Sequence, residues 1–147
     1  MTASSELAAD VRRFYARQLR HVDDGAVEEC AATFTPDAEL VRHAPEQRMR
    51  SQDAAPRRQG RAAITAGLRK VIEQRARTGV VRRHWLGDLV VRPDGETVRA
   101  RYYLMALDTP RGGRPGLRSS TVVEDELVRS AAGWRVRRRT VTHDDVP

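Results

Sequence analysis

The sequence predicts an α+β fold in which a curved antiparallel sheet packs against three N-terminal helices. Apolar residues recur at helical spacing as far as Gly79, and beyond it the period drops to two. Turn signals then divide the second half into four strands, and helices followed by hairpins place the helices on one face of a sheet. A chain of 147 residues is one domain by length, 1–147, and buries about 68–70% of its unfolded surface without disulfides or a structural metal.

The first helix is the clearest element. Ser4 or Ser5 offers an N-cap, and Glu6 and Asp10 lie in the first turns, where the helix dipole favours them. Leu7, Val11, Phe14, Tyr15, Gln18, Leu19 and Val22 form one face that must be buried. Asp23-Asp24-Gly25 stops the helix, and Asp24 or Gly25 can cap a short second one over Ala26–Thr33. Thr35-Pro36-Asp37 reads as a turn and Ala38–His43 as a short strand. Residues 44–59 are polar, carry two prolines and read as a long surface loop and candidate lid. Gly60-Arg61-Ala62-Ala63 opens the third helix, with Ile64, Leu68, Val71 and Ile72 as its apolar stripe and Gly79 as its end. Strands follow over 80–92, 97–108, 117–129 and 134–142, the first two joined by the Pro93-Asp94-Gly95 turn.

Strict alternation assigns the faces of these strands. His84, Leu86, Asp88 and Val90 share one side of the first long strand, and Val98, Ala100, Tyr102, Leu104 and Ala106 share the apolar side of the second. Thr121, Val123, Asp125 and Leu127 lie together on the third, as do Trp134, Val136, Arg138 and Thr140 on the fourth. Inward faces that mix apolar residues with a His, an Asp and an Arg describe a core containing a wet pocket. Asp125 and Arg138 are expected to form a partly buried structural ion pair, since each alone is costly there.

Composition removes several classes of function. Mean hydropathy is −0.62, and no apolar run approaches the roughly 20 residues needed to span a bilayer. The N-terminus lacks the basic start and apolar stretch of a signal peptide, and a lone Cys30 fits a reducing cytoplasm. The formal charge of +7 comes from 27 basic residues, all arginine except Lys70, and acidic residues are interleaved throughout. Arg82-Arg83 and Arg137-Arg138-Arg139 can attract phosphate, yet no nucleic-acid motif accompanies them, so a solvated cationic surface is the better reading. No zinc framework, P-loop, GxGxxG or repeat is present.

Four motifs in this order, FYARQLRHVDDGAVEECAATFTPDAEL, GRAAI, RHWLGDLVV and VVEDELVRSAAGWRVRRRTV, resemble the SnoaL-like polyketide cyclase/dehydratase branch of the NTF2-like superfamily over roughly residues 8–142. The resemblance implies a cone-shaped α+β barrel with a deep internal pocket, usually assembled as a homodimer. Members of the group are polyketide cyclases, dehydratases, isomerases, epoxide hydrolases and non-catalytic binders. Phe-Tyr-Ala-Arg-Gln, the His-Trp pair and Thr-Pro-Arg-Gly-Gly look most similar to small proteins of aromatic polyketide tailoring, including pyran-ring formation of the actinorhodin type. The implied function is cofactor-free acid/base catalysis on a small-molecule aromatic polyketide in antibiotic biosynthesis. The alternative is a binder that shields or steers a labile intermediate.

Asp23 falls at the position of the family's pocket acid; the plainer reading is a helix-ending or capping residue. A negative charge at a helix C-terminus is unfavourable with the dipole, which favours a reason beyond the helix. His84, on an inward strand face, can act as base or polarise a carbonyl, although a lone inward His is more often a satisfied core residue. Tyr15, Leu86, Tyr102 and Leu104 are the candidate substrate-binding residues, with aromatic packing the simpler role for the tyrosines. Asp88 stands where the family often has an orienting Asn and can instead pair with an inward arginine. Trp85 and Trp134 read as core or dimer-interface aromatics. Val123 departs from an aromatic preference two residues before Asp125, and residues 97–108 lack the second pocket histidine of the dehydratase branch. His21, His43 and His143 are remote from one another and suggest no metal triad.

Overall fold

The computed structural model describes residues 2–51 and 55–147. Helix α1 spans Ala3–Asp24 and is capped by Thr2 instead of Ser4 or Ser5: the Thr2 hydroxyl accepts the Ser5 backbone N–H at 3.2 Å. Val11, Phe14, Tyr15 and Gln18 form its buried stripe. Gly25, with φ 77°, closes α1 in the left-handed conformation that glycine adopts without strain. It therefore ends the first helix; the second, α2 (Val27–Ala31), starts from Ala26 with no side-chain cap.

The next stretch departs most from expectation. Strand β1 runs over Phe34–His43, and the anticipated Thr35–Asp37 turn is an irregularity within it, between Phe34 and Glu39. The expected loop holds a short helix α3 (Glu46–Ser51) and a three-residue strand β2 (Arg57–Gln59), while its residues 52–54 lie outside the described residues. Arg-Arg-Gln shows no alternation because β2 is a short edge strand beside β1, so composition could not reveal it. Helix α4 (Arg61–Thr78) lies between Gly60 and Gly79, as expected. Its buried residues are Ile64 and Arg75, whereas Val71 is 38% exposed; Arg75 stays inside because its guanidinium donates to the Val22 carbonyl at 2.7 Å.

Four long strands complete the sheet: β3 (Val81–Asp94), β4 (Thr97–Thr109), β5 (Gly116–Ser130) and β6 (Gly133–His143). The sheet order is β2-β1-β6-β5-β4-β3, and the edges do not close on each other. Neighbours are antiparallel except β1 and β6, which run parallel and so correct the expectation of a wholly antiparallel sheet. Phe14, Tyr15, Phe34, Tyr102, Leu127 and Val136 belong to the core between α1 and the sheet. Truncating one such aromatic to alanine costs about 3–5 kcal/mol.

Three bulges bend the long strands and reverse which residues face inward. On β3 the register shifts between Gly87 and Val90, with Asp88 at φ 52°. Leu89 and Val91 consequently pack against the core, while Asp88 and Val90 are exposed, overturning their assignment to the His84 face. On β6 one extra residue is accommodated between Val136 and Arg138. Inward positions therefore pass from Trp134 and Val136 to Arg139, Val141 and His143. The third bulge, on β5, lies between Leu117 and Ser119 opposite Leu107 and Ala106. Among the described residues, no helix is long and apolar enough to cross a membrane.

Candidate active site

A cavity of about 500 Å³ opens between the helices and the concave face of the sheet. That volume suits a small organic molecule. Leu19 and Val22 of α1 and Leu68 of α4 wall one side, with Leu40, Leu104 and Val141 opposite. Among the described residues, seven arginine or lysine side chains line the cavity with one carboxylate, Asp108. Asp108 is already held by Arg82, through Nε at 2.7 Å and Nη2 at 2.9 Å, with Arg118 at 3.5 Å. Burial pushes the Asp108 carboxyl up, but these arginines outweigh it and hold the group below its ordinary range.

Asp23 and His84 meet. His84 Nδ1 lies 2.6 Å from Asp23 Oδ1, and the His84 backbone N–H donates to Asp23 Oδ2 at 3.2 Å. The last turn of α1 thus grips β3 by both carboxylate oxygens, which offsets the poor position of an acid at a helix C-terminus. A carboxylate only accepts, so Nδ1 carries a proton, and in the neutral ring Nε2 keeps its lone pair. His84 lines the cavity whereas Asp23 does not, so Asp23 stands behind the ring as its positioning residue.

Below the cavity floor lies a buried network. Arg139 clasps Asp125 bidentately, Nε to Oδ1 and Nη2 to Oδ2 both at 2.8 Å, and Nη2 also reaches Gln18 Oε1 at 2.7 Å. Tyr15 and Tyr102 donate their hydroxyls to Asp125 Oδ2 at 2.8 and 3.3 Å. Burial, together with the Asp125 charge, raises both phenols well above their ordinary range, and they stay protonated donors. The pair expected between Asp125 and Arg138 is therefore formed by Arg139; Arg138 lies outside and meets Glu39 at 3.6 Å. Tyr15 and Tyr102, each 1% exposed, belong to this network and not to the cavity wall, and Leu86 packs against the core without lining the cavity. Of the four expected contact residues, Leu104 alone lines it. Trp134 is a core residue whose Nε1 donates to Asp10 at 2.8 Å, and Trp85 is 63% exposed on the outer face.

A model of the SnoaL-like domain matches residues 3–140. The chain belongs to the SnoaL-like family. Its fold is the NTF2-like one, an unclosed curved sheet with the helices on its concave side. Among solved structures, this SnoaL-like chain is similar to ActVI-ORFA from Streptomyces coelicolor, with 31% identity and a TM-score of 0.82 over 97% of this chain and 98% of that one. Aln2 from another Streptomyces strain matches with 29% identity and a TM-score of 0.81, covering 99% and 96% of the two chains. A protein from Catenulispora acidiphila, solved in complex with S-DNPA, matches with 34% identity and a TM-score of 0.76 over 96% of each chain. No curated protein matches the chain in sequence.

Cavity residues of this SnoaL-like protein that escape the sequence reading include Arg42, Arg75, Arg139 and His143. For Arg139 and His143 the missing datum is the β6 bulge; once it is known, a period of two from Val141 recovers both. Arg42 follows likewise from Leu40, two residues earlier on β1. Arg75 had no signal, because an arginine near a helix end ordinarily reads as surface.

Proposed function

We propose that the chain is a cofactor-free acid/base catalyst of ring closure on an aromatic polyketide intermediate, with or without loss of water, pyran formation being one such closure. It acts as a single domain in the cytoplasm, in antibiotic biosynthesis. The observation that carries this reading is the Asp23–His84 contact at the wall of an apolar cavity. His84 Nε2 takes the proton from a substrate hydroxyl, or from a carbon beside a carbonyl, and Asp23 stabilises the imidazolium. The oxygen or carbon so freed attacks a ketone carbon within the same molecule, and the proton passes to the ketone oxygen. Where dehydration follows, His84 takes a proton from the carbon beside the new C–OH and passes it to that hydroxyl, whose C–O bond breaks as the C=C bond forms and water leaves. The cavity supplies much of the acceleration by holding a flexible polyketone folded for attack.

Turnover of a polyketide ketone bearing a free hydroxyl, followed by chromatography, tests the reading. His84→Ala is expected to lower kcat by about 10²–10⁴-fold while far-UV circular dichroism is unchanged. Unaltered turnover in a folded His84→Ala protein overturns it. A second reading is favoured by the S-DNPA complex of the Catenulispora relative, in which a ligand is bound. In that case this chain shelters an intermediate without proton transfer, tolerates His84→Ala, and loses function when the Leu104 wall is altered.

The protein acts as a homodimer in this proposal. Trp85, Tyr103 and Met105 lie side by side on the outer face of β3 and β4, 63, 47 and 42% exposed, with Leu117 of β5 at 64%. Apolar surface concentrated in this way on a highly charged protein marks an interaction site, and a second copy of the same face is the occupant.

A further inference from the structure

The cavity carries more hydrogen-bond donors and positive charge than the protein itself uses. Arg42 points inward from β1, opposite Val141 of β6 and flanked along that strand by the inward residues Arg139 and His143. Its guanidinium makes no hydrogen bond or ion pair among the described residues. Its charged neighbours are of its own sign: burial first, then Arg58 and Arg139, make the Arg42 cation harder to keep. Arg42 is half-buried, and a charge partly withdrawn from water without a counter-charge is costly.

Two further groups are left open beside it. His143 is 5% exposed and its Nε2 is buried without a partner among the described residues. Arg48 Nη1 donates to His143 Nδ1 at 3.4 Å, so the ring proton sits on Nε2, which is an unmatched donor. Arg139 commits Nε and Nη2 to Asp125 and Gln18, and its Nη1 has no acceptor among the described residues. The cavity's own carboxylate, Asp108, is taken by Arg82 and Arg118 and answers none of these donors.

We propose that this end of the cavity is a carboxylate subsite, in which an organic acid group of the bound molecule pairs with Arg42 and is flanked by Arg139 and His143. The inference deepens the reading of the cavity as a small-molecule site and rests on it. A planar, acceptor-only anion matches a guanidinium fork with two parallel hydrogen bonds, which a neutral carbonyl or hydroxyl does not. Leu40, Leu104, Val123 and Val141 beside the charged group suit an acid carried on an apolar ring system, not a heavily hydrated inorganic anion. The substrate class is therefore an aromatic or polycyclic acid, and catalysis at His84 works on a molecule held at its other end by charge.

Calorimetric binding of two probes with the same ring, 2-naphthylacetate and its neutral amide, tests the subsite. The acid is expected to bind wild-type protein at least about tenfold more tightly than the amide. Arg42→Gln is expected to remove that advantage while amide binding stays within about twofold. Equal affinities in the wild type, tighter binding of the amide, or binding of neither overturns the proposal. So does an acid advantage that survives Arg42→Gln in a folded protein. If Arg42→Gln does not fold, Arg42→Lys takes its place: it keeps the charge, loses the planar fork and is expected to shrink the acid advantage, and an undiminished advantage overturns the proposal. His84→Ala separates this result from the acid/base reading: the acid advantage persists in that variant whether or not turnover is lost.

Discussion

Asp125 and Arg139 stand directly opposite each other on β5 and β6 and close a bidentate pair, both contacts at 2.8 Å, beneath the floor of the cavity. Tyr15 from α1 and Tyr102 from β4 tie two further elements to the same carboxylate. The Asp125 side chain is fully buried and that of Arg139 is 13% exposed, so the pair has no solvent to fall back on. Burial works against the Arg139 charge, and Asp125 more than restores it, holding the guanidinium protonated.

Removing one member of this pair leaves the other charged and buried. Asp125→Ala is expected to cost about 3–5 kcal/mol in urea denaturation, because Arg139 and two phenols lose their acceptor. Arg138→Ala, one residue away but outside, is expected to change stability by less than about 0.5 kcal/mol. Equal losses at the two sites would place Arg138 inward and contradict the β6 bulge.

Asp23→Asn keeps the shape of the side chain but lets the amide present a donor to Nδ1. The His84 ring then loses the partner that fixes its tautomer, and kcat is expected to fall by at least about 10²-fold. Because Asp23 is not on the cavity wall, KM is expected to change little. A rise in KM at constant kcat would assign Asp23 to substrate binding instead.

His143 makes stability depend on pH. Burial first, then Arg42 and Arg48, lowers its pKa from the ordinary 6.5. A base whose folded pKa is depressed binds fewer protons folded than unfolded, so its contribution is lost as pH falls below about 6.5 and stops changing below the folded pKa. Denaturation midpoints of the wild type are expected to fall from pH 7.5 to about 5.5, and His143→Gln is expected to flatten that fall. An unchanged slope in the variant would remove His143 as its source.

Trp85→Asp places a charge in the centre of the exposed outer face of β3 and β4. It is expected to convert the proposed dimer to a monomer in sedimentation velocity at about micromolar concentration while leaving the fold intact, since Trp85 makes no core contact. A wild-type monomer at the same concentration would dismiss the interface.

Much of the framework was legible in the chain. Both long helices and the four long strands lie within a residue or two of where periodicity put them, because each has one face that must be apolar. Asp23 and His84 were also legible as candidates, one through its awkward place at a helix end and both through resemblance. Their meeting at 2.6 Å was not, since it depends on how α1 lies across β3.

What the tertiary structure alone decided follows from the bulges and from parallel pairing. A single extra residue near Arg137 exchanges the two faces of β6, turning Arg138 out and Arg139, Val141 and His143 in. Nothing local marks that residue, because the run Arg137-Arg138-Arg139 is chemically uniform and any of the three can be solvated. Asp88 on β3 repeats the lesson: its left-handed backbone reverses the strand beyond Gly87 and carries it to the surface. The period of a strand is a property of its neighbours' register as well as of its own residues. The amino-acid pattern therefore determined that the sheet has an apolar inner face, and only the assembled sheet decided which arginine stands at the floor of the cavity.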